Sequence, residues 1–242
     1  MNKPARWVSR VVRTGWAMGV LAGSLGGCGL VSSDVASVAL DLPSKSYTFD
    51  TGYTGPAGTI PMVACGDGQL VTDCCNPLPG VTVNCAATPL VCAAGACTYQ
   101  TTFKSVSKVD LGAEAPQYKQ YSGQTLVGLS LNKVSYTVTM NSLNVPTPEI
   151  TIYLAPDGVT DPADPSAAKF GTIAPIAAGA LPTGTVAQAP GAGTAFGKYA
   201  QNWATPFTFI ATAPVTVKGG DPIPMGKMTV TVSGQAKLQP GL

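Results

Sequence analysis

Three runs of this chain alternate apolar and polar residues with a period of two, and that period commits them to a sheet with one buried face. Val134, Tyr136, Val138 and Met140 alternate with Ser135, Thr137 and Thr139. Ile150, Ile152 and Leu154 alternate with Thr151 and Tyr153, and Met228, Val230 and Val232 with Thr229, Thr231 and Ser233. Further strands are predicted at Val35–Leu40, Ser46–Asp50, Tyr99–Phe103, Val106–Leu111, Leu126–Leu131, Phe170–Ile176, Thr185–Gln188, Phe207–Thr212 and Val215–Lys218. Turn signals such as Pro156-Asp157-Gly158 and Gly219-Gly220-Asp221 punctuate them. Clean alternation argues against a parallel α/β sheet, whose buried strands read as continuous apolar runs. The expected fold is all-β, an antiparallel Ig-like β-sandwich. One helix interrupts it: Ala195, Phe196, Tyr199, Ala200 and Trp203 share a face, and Gly193-Thr194 offers an N-cap. Such a helix is expected to cap an open end of the core.

Charge and composition narrow the chemistry. The 242 residues contain no histidine, which removes Ser-His-Asp and Cys-His catalysis and imidazole ligation. The net charge of +2 is carried by the start of the chain: Lys3, Arg6, Arg10 and Arg13 precede an apolar stretch with no acid among them. After Cys28 no arginine remains and the lysines are scattered, so a nucleic-acid partner is not expected.

Behind that basic segment, Trp16 to Leu25 form an apolar stretch too short to span a bilayer and of the right length for a secretory signal. Leu25-Gly26-Gly27-Cys28 then resembles the lipobox of bacterial lipoproteins: a branched apolar residue, two small residues and the cysteine that is acylated. The resemblance implies cleavage before Cys28, lipidation of its thiol and stable membrane anchoring through several acyl chains. Gly29 stands where an inner-membrane retention signal would have Asp, so the resemblance points to the outer membrane of a Gram-negative bacterium. The spacing Arg10-Val11-Val12-Arg13 does not fit twin-arginine export.

The expected organisation is therefore a signal peptide over 1–27, a lipidated N-terminus and short tether over 28–34, and a sandwich domain over 35–242 with a cysteine-rich insertion at 51–98. About six residues of tether reach roughly 20 Å at most, which keeps the domain near the membrane. The insertion holds Cys65, Cys74, Cys75, Cys85, Cys92 and Cys97. An even count of this density in an exported chain reads as disulfides. Six cysteines admit 15 pairings, or 12 once bonds between the adjacent Cys74 and Cys75 are set aside. A metal site has neither a C-x-x-C pair nor a histidine to rest on. With its strand pair, cysteine-rich insertion and long β-rich C-terminal part, the chain is similar to secreted β-rich bacterial lipoproteins of like layout, a resemblance that implies no activity.

Few side chains suggest chemistry. Asp157, Asp161 and Asp164 lie within one loop, a weak calcium candidate whose spacing departs from the EF-hand. Glu114 and Glu149 are the only glutamates, and nothing pairs them as a glycosidase needs. No S-x-x-K, G-x-S-x-G or P-loop motif stands out. No cofactor and no catalytic residue is expected. Tyr47, Tyr53, Tyr118, Tyr121, Tyr153, Tyr199 and Trp203 could build an aromatic sugar platform on a sandwich face. The reading is an exported, lipid-anchored envelope lipoprotein, non-catalytic, with an envelope protein or a glycan as partner. The alternative is a carbohydrate-binding or carbohydrate-active domain.

Overall fold

Alternation in the sequence becomes two antiparallel sheets in the computed structural model, which describes residues 38–53, 57–60, 62, 90–115, 126–200 and 205–240. In chain order the elements are β1 (Val38–Asp50), β2 (Leu90–Ala93), β3 (Ala96–Val109), α1 (Leu111–Glu114), β4 (Leu126–Asn141) and β5 (Ile150–Pro156). They continue with β6 (Ala168–Ile173), β7 (Thr183–Thr185), β8 (Ala187–Gln188), α2 (Ala192–Ala200), β9 (Phe207–Lys218) and β10 (Lys227–Pro240). One sheet has the order β1-β10-β4-β7 and the other β2-β3-β9-β5-β6-β8. Every pairing is antiparallel.

The core lies between the sheets. Tyr47, Phe49, Val134, Val138, Met228 and Val230 from the first meet Ile150, Ile152, Leu154, Phe207, Ala211 and Val215 from the second, all buried. The alternation predicted for β5 and β10 is realised: Ile150, Ile152 and Leu154 are buried, and Thr151 and Tyr153 only partly so. Met140 departs from expectation, being 37% exposed. Thr229 pairs with Met140 and Val230 with Val138, so Thr139 has no opposite number. This bulge reverses the phase of β4 and turns Met140 outward.

Strands expected as separate pieces are continuous. β1 runs through Pro43 because the register shifts between Leu42 and Lys45, and a bulge accommodates a residue with no N–H to give. β9 runs through Pro214, which pairs with Thr102 of β3 beyond the last β5 partner, Thr212. Among the described residues no strand pairs with it on its other side there, where a proline costs no ladder bond. The stretch expected at Phe170–Ile176 ends at Ile173. That expected at Thr185–Gln188 splits: β7 belongs to the first sheet and β8 to the second, with buried Val186 at the crossing, its N–H bonded to the Val134 carbonyl at 2.9 Å.

The helix starts at Ala192, not at the expected Gly193-Thr194 cap, because the turn at Pro190-Gly191 launches it: Ala192 N–H bonds the Ala189 carbonyl at 3.0 Å and Ala195 N–H the Gly191 carbonyl at 2.9 Å. Phe196 and Ala200 are buried on its inner face, and it packs against β4, β5 and β6, touching both sheets. Phe196 and Tyr199 approach Phe207 with ring centroids 6.0 and 5.6 Å away. Trp203 lies outside the described residues. The short α1 was not anticipated. Asp110 caps it by accepting from Ala113 N–H at 3.0 Å, while Glu114 accepts from Asp110 N–H at 3.1 Å.

Cys65, Cys74, Cys75 and Cys85 lie outside the described residues, as does the whole of 1–37 with Cys28. Cys92 and Cys97 are register partners in the β2–β3 hairpin and both are buried. Ala94 and Gly95 turn that hairpin with positive φ of 52° and 75°, as a two-residue connection of this hand requires. Among the described residues no helix is long and apolar enough to cross a membrane.

Candidate functional site: a hydroxyl face and its polar depression

Alternation has a second product, on the outer face of the four-stranded sheet. β1 reads Ser-Lys-Ser-Tyr-Thr-Phe from Ser44, β4 Ser-Tyr-Thr-Val-Thr from Ser135, and β10 Thr-Val-Thr-Val-Ser from Thr229. Each sends its apolar members inward and its hydroxyls outward. Register then aligns the hydroxyls in rungs. Ser46, Thr231, Thr137 and Thr183 form one, Ser233, Ser135 and Thr185 the next with Ser44 beside them, and Thr48 and Thr229 a third, whose β4 member is the outward Met140 with Thr139 at the bulge beside it. Neighbours stand about 4.8 Å apart across strands and about 6.7 Å along them. Two cross-strand pairs are hydrogen-bonded, Ser46 with Thr231 at 2.9 Å and Thr48 with Thr229 at 3.2 Å. Such pairs contribute roughly 0.2–1 kcal/mol each and hold the hydroxyls in place.

No charge interrupts these rungs. Charges appear only beyond them: Asp50 opposite Lys227 at one end, and Asp41, Gln235 and Lys133 in one rung at the other. There the bulge in β1 opens a depression of about 340 Å³ lined by Asp41, Leu42, Ser44, Lys133, Ser135, Ser233, Gly234 and Gln235. The Gln235 amide donates to Asp41 Oδ1 at 3.0 Å. The hydroxyls were visible in the sequence as the polar half of each alternation. Their assembly into one face needed the strand order β1-β10-β4-β7, which no local pattern encodes.

Two other spaces are less apt. A cavity of about 40 Å³ between the sheets, near Tyr47, Ile152, Phe170 and Phe209, is too small for an organic ligand. A groove of about 460 Å³ runs between Asn144–Pro148 and Val215–Val217. Its best polar groups are spent: the Asn144 amide donates to the Ile223 carbonyl at 2.9 Å and accepts from Met225 N–H at 2.7 Å, and Thr147 Oγ1 accepts from Ile176 N–H at 3.0 Å.

The residues singled out from sequence are placed as follows. Asp157 pairs with Lys108 at 2.7 Å, Asp161 accepts from Ala163 N–H at 2.9 Å, and Asp164 accepts from Ser166 N–H at 2.8 Å and from its hydroxyl. The Ser166 hydroxyl, then its N–H, holds the Asp164 carboxyl below the usual range. Asp161 and Asp164 thus serve their own turns while Asp157 is tied to β3, and among the described residues no three His, Cys, Asp or Glu side chains gather to hold a metal ion. Glu114 pairs with Lys45 at 2.5 Å, and Glu149 is exposed just before β5.

The S-x-x-K spacing does occur, at Ser105/Lys108, Ser130/Lys133 and Ser166/Lys169. All three lysines are exposed, whereas a lysine base needs desolvation. Of the aromatic candidates, Tyr47 is 2% exposed and burial pushes its phenol well above the usual range. Tyr53, Tyr153 and Tyr199 are half-buried, and Tyr118, Tyr121 and Trp203 lie outside the described residues. The exposed large apolar side chains among the described residues are Met62, Val106, Met140 and Leu181, none aromatic.

No family model matches the chain, and no curated protein matches it. Among solved structures it is similar to Desmodium yellow mottle tymovirus, at 8% identity and a TM-score of 0.24 over 99% of this chain and 97% of that one. A cryo-EM structure of the T=3 Penaeus vannamei nodavirus gives 9% and 0.27 over 98% and 65%. Turnip yellow mosaic virus gives 12% and 0.21 over 61% and 96%. Scores this low carry no argument about the fold or the function of this chain.

Proposed function

We propose that this protein is a lipid-anchored lipoprotein of the cell envelope, exported and held at the outer membrane, whose sandwich domain is a structural or interaction module without catalytic activity. The observation that carries the reading is Leu25-Gly26-Gly27-Cys28 behind a basic segment and a ten-residue apolar stretch. A non-catalytic role is supported by the use of the acids: Asp50 accepts from Gly52 N–H at 2.9 Å, Asp110 caps α1, and Glu114 and Asp157 pair with lysines. These contacts stabilise turns and helix ends and leave those carboxylates engaged. An Ig-like scaffold and the six-cysteine framework belong to the same proposal. Cys92 and Cys97 favour the framework, being buried register partners in the β2–β3 hairpin.

Anchoring is tested by intact-mass analysis of the membrane fraction. The expected product begins at Cys28 and carries acyl mass, and Cys28→Ser releases the protein or leaves it unprocessed. A mature chain without acyl mass refutes the proposal.

A further inference from the structure

We propose that the outer hydroxyl face of the four-stranded sheet, together with the depression at Asp41 and Gln235, binds a neutral polysaccharide. The inference rests on the reading of this domain as an envelope interaction module and names its partner.

Exclusion by chemistry leads there. Nucleic acid and anionic lipid both need clustered lysine or arginine, and the central rungs of this face, such as Ser46-Thr231-Thr137-Thr183, hold no charge. A protein partner would be expected to meet several aromatic, methionine or arginine anchors, whereas the two central rungs have none and the third has Met140 alone. What the face does offer is a dense array of donor-acceptor hydroxyls at fixed spacing, two of whose pairs are already ordered by cross-strand bonds. Its complement is an extended, uncharged polymer that also presents hydroxyls at close intervals, and each contact replaces a bond to water at a small net gain. Affinity then accrues along the length of the chain rather than at one anchor.

The depression supplies direction. Gln235, whose amide is steadied by donating to Asp41 at 3.0 Å, has a second N–H and a carbonyl oxygen side by side, the donor and acceptor that neighbouring sugar hydroxyls match. Lys133 and Ser233 line the same hollow, and its volume suits a sugar ring. Aromatic stacking, the more common route to sugar binding, is not required by this arrangement.

The test uses the full chain purified in detergent, with depletion from solution measured over insoluble cellulose, chitin, β-1,3-glucan and α-glucan. Retention on at least one, eluted by the matching soluble oligosaccharide, is expected. Gln235→Ala should weaken it roughly fivefold, the loss of about one hydrogen bond. Thr137→Lys, which raises an ammonium from the centre of the face, should weaken it by more. Thr102→Lys, on exposed β3 of the other sheet, should leave retention unchanged. Melting curves accompany each variant, and Thr137→Val, of equal shape, replaces Thr137→Lys if that chain is unfolded. Retention on none of the four polymers overturns the inference, as does equal weakening by Thr102→Lys. So does a self-associated state that Thr137→Lys dissolves, which would assign the face to a second copy. The acyl mass of the same preparation is read separately, so failure of anchoring and failure of glycan binding are distinguishable.

Discussion

Gly226→Ala is expected to destabilise the sandwich by about 2–5 kcal/mol. Gly226 enters β10 with φ +94°, where an L side chain costs roughly 1–3 kcal/mol. A Cβ there would also meet the Ser142 carbonyl, its carbon at 2.7 Å, and the Ser142 hydroxyl at 3.0 Å. That carbonyl cannot swing aside, because Ser142 is tied to Lys227 by its own N–H at 2.8 Å and by its hydroxyl at 3.0 and 3.1 Å. Forced overlap of this kind adds about 1–3 kcal/mol, and the stiffened unfolded chain returns about 0.4–1 kcal/mol. Gly179→Ala is the control. Its φ is +68° but nothing lies within 4 Å of the added carbon, so it bears the conformational term without the steric one. Equilibrium urea unfolding followed by circular dichroism reads both, and the melting temperature should fall by roughly 2–4 °C per kcal/mol for a domain of this size. A Gly226→Ala loss under about 0.5 kcal/mol, or one equal to that of Gly179→Ala, would refute the close approach of Ser142.

Further expectations concern the core, pH and redox state. Phe196→Ala removes a side chain 1% exposed and edge-on to Phe207, and should cost about 3–5 kcal/mol by urea titration, whereas Lys198→Ala on the exposed face of α2 should stay within about 0.5 kcal/mol. Burial raises the Tyr47 phenol, and less so Tyr99 and Tyr199. The unfolded chain therefore loses these protons first, and stability should be level below about pH 10 and fall as pH rises above it; Tyr47→Phe should flatten that fall, and an unchanged profile would contradict the buried phenol. If the protein is exported as proposed, thiol labelling of the chain denatured without reductant should find Cys65, Cys74, Cys75, Cys85, Cys92 and Cys97 blocked, while two or more reactive thiols would refute the framework.

Legibility in the sequence followed the range of the forces involved. The inner faces of β5 and β10 could be read because period-two burial is local, and so could the inward Phe196. Met140 was misassigned because a bulge is set by two strands and shows in neither alone. Pro43 and Pro214 fall in gaps between expected strands, since a sequence does not reveal that one sits at a bulge and the other beyond the end of β5. The hydroxyl face was overlooked for the same reason. Ser46, Thr231 and Thr137 are unremarkable singly and become a surface only through pairings across most of the chain.

Those pairings bear on the order in which the protein can be made. Among the described strands β1 is hydrogen-bonded only to β10, and Ser46 meets Thr231, 185 residues later. At roughly 5–20 residues per second a ribosome takes about 10–40 s to cover that distance. During that time β1, with Tyr47 and Phe49, has no sheet to join. Contacts so remote in sequence also slow closure once the chain is complete. A chain truncated before β10 would lose the central strand that joins β1 to β4, separating β1 from a sheet reduced to β4 and β7. The nascent chain therefore keeps β1 unpaired until β10 has been made, and depends on protection from aggregation until then.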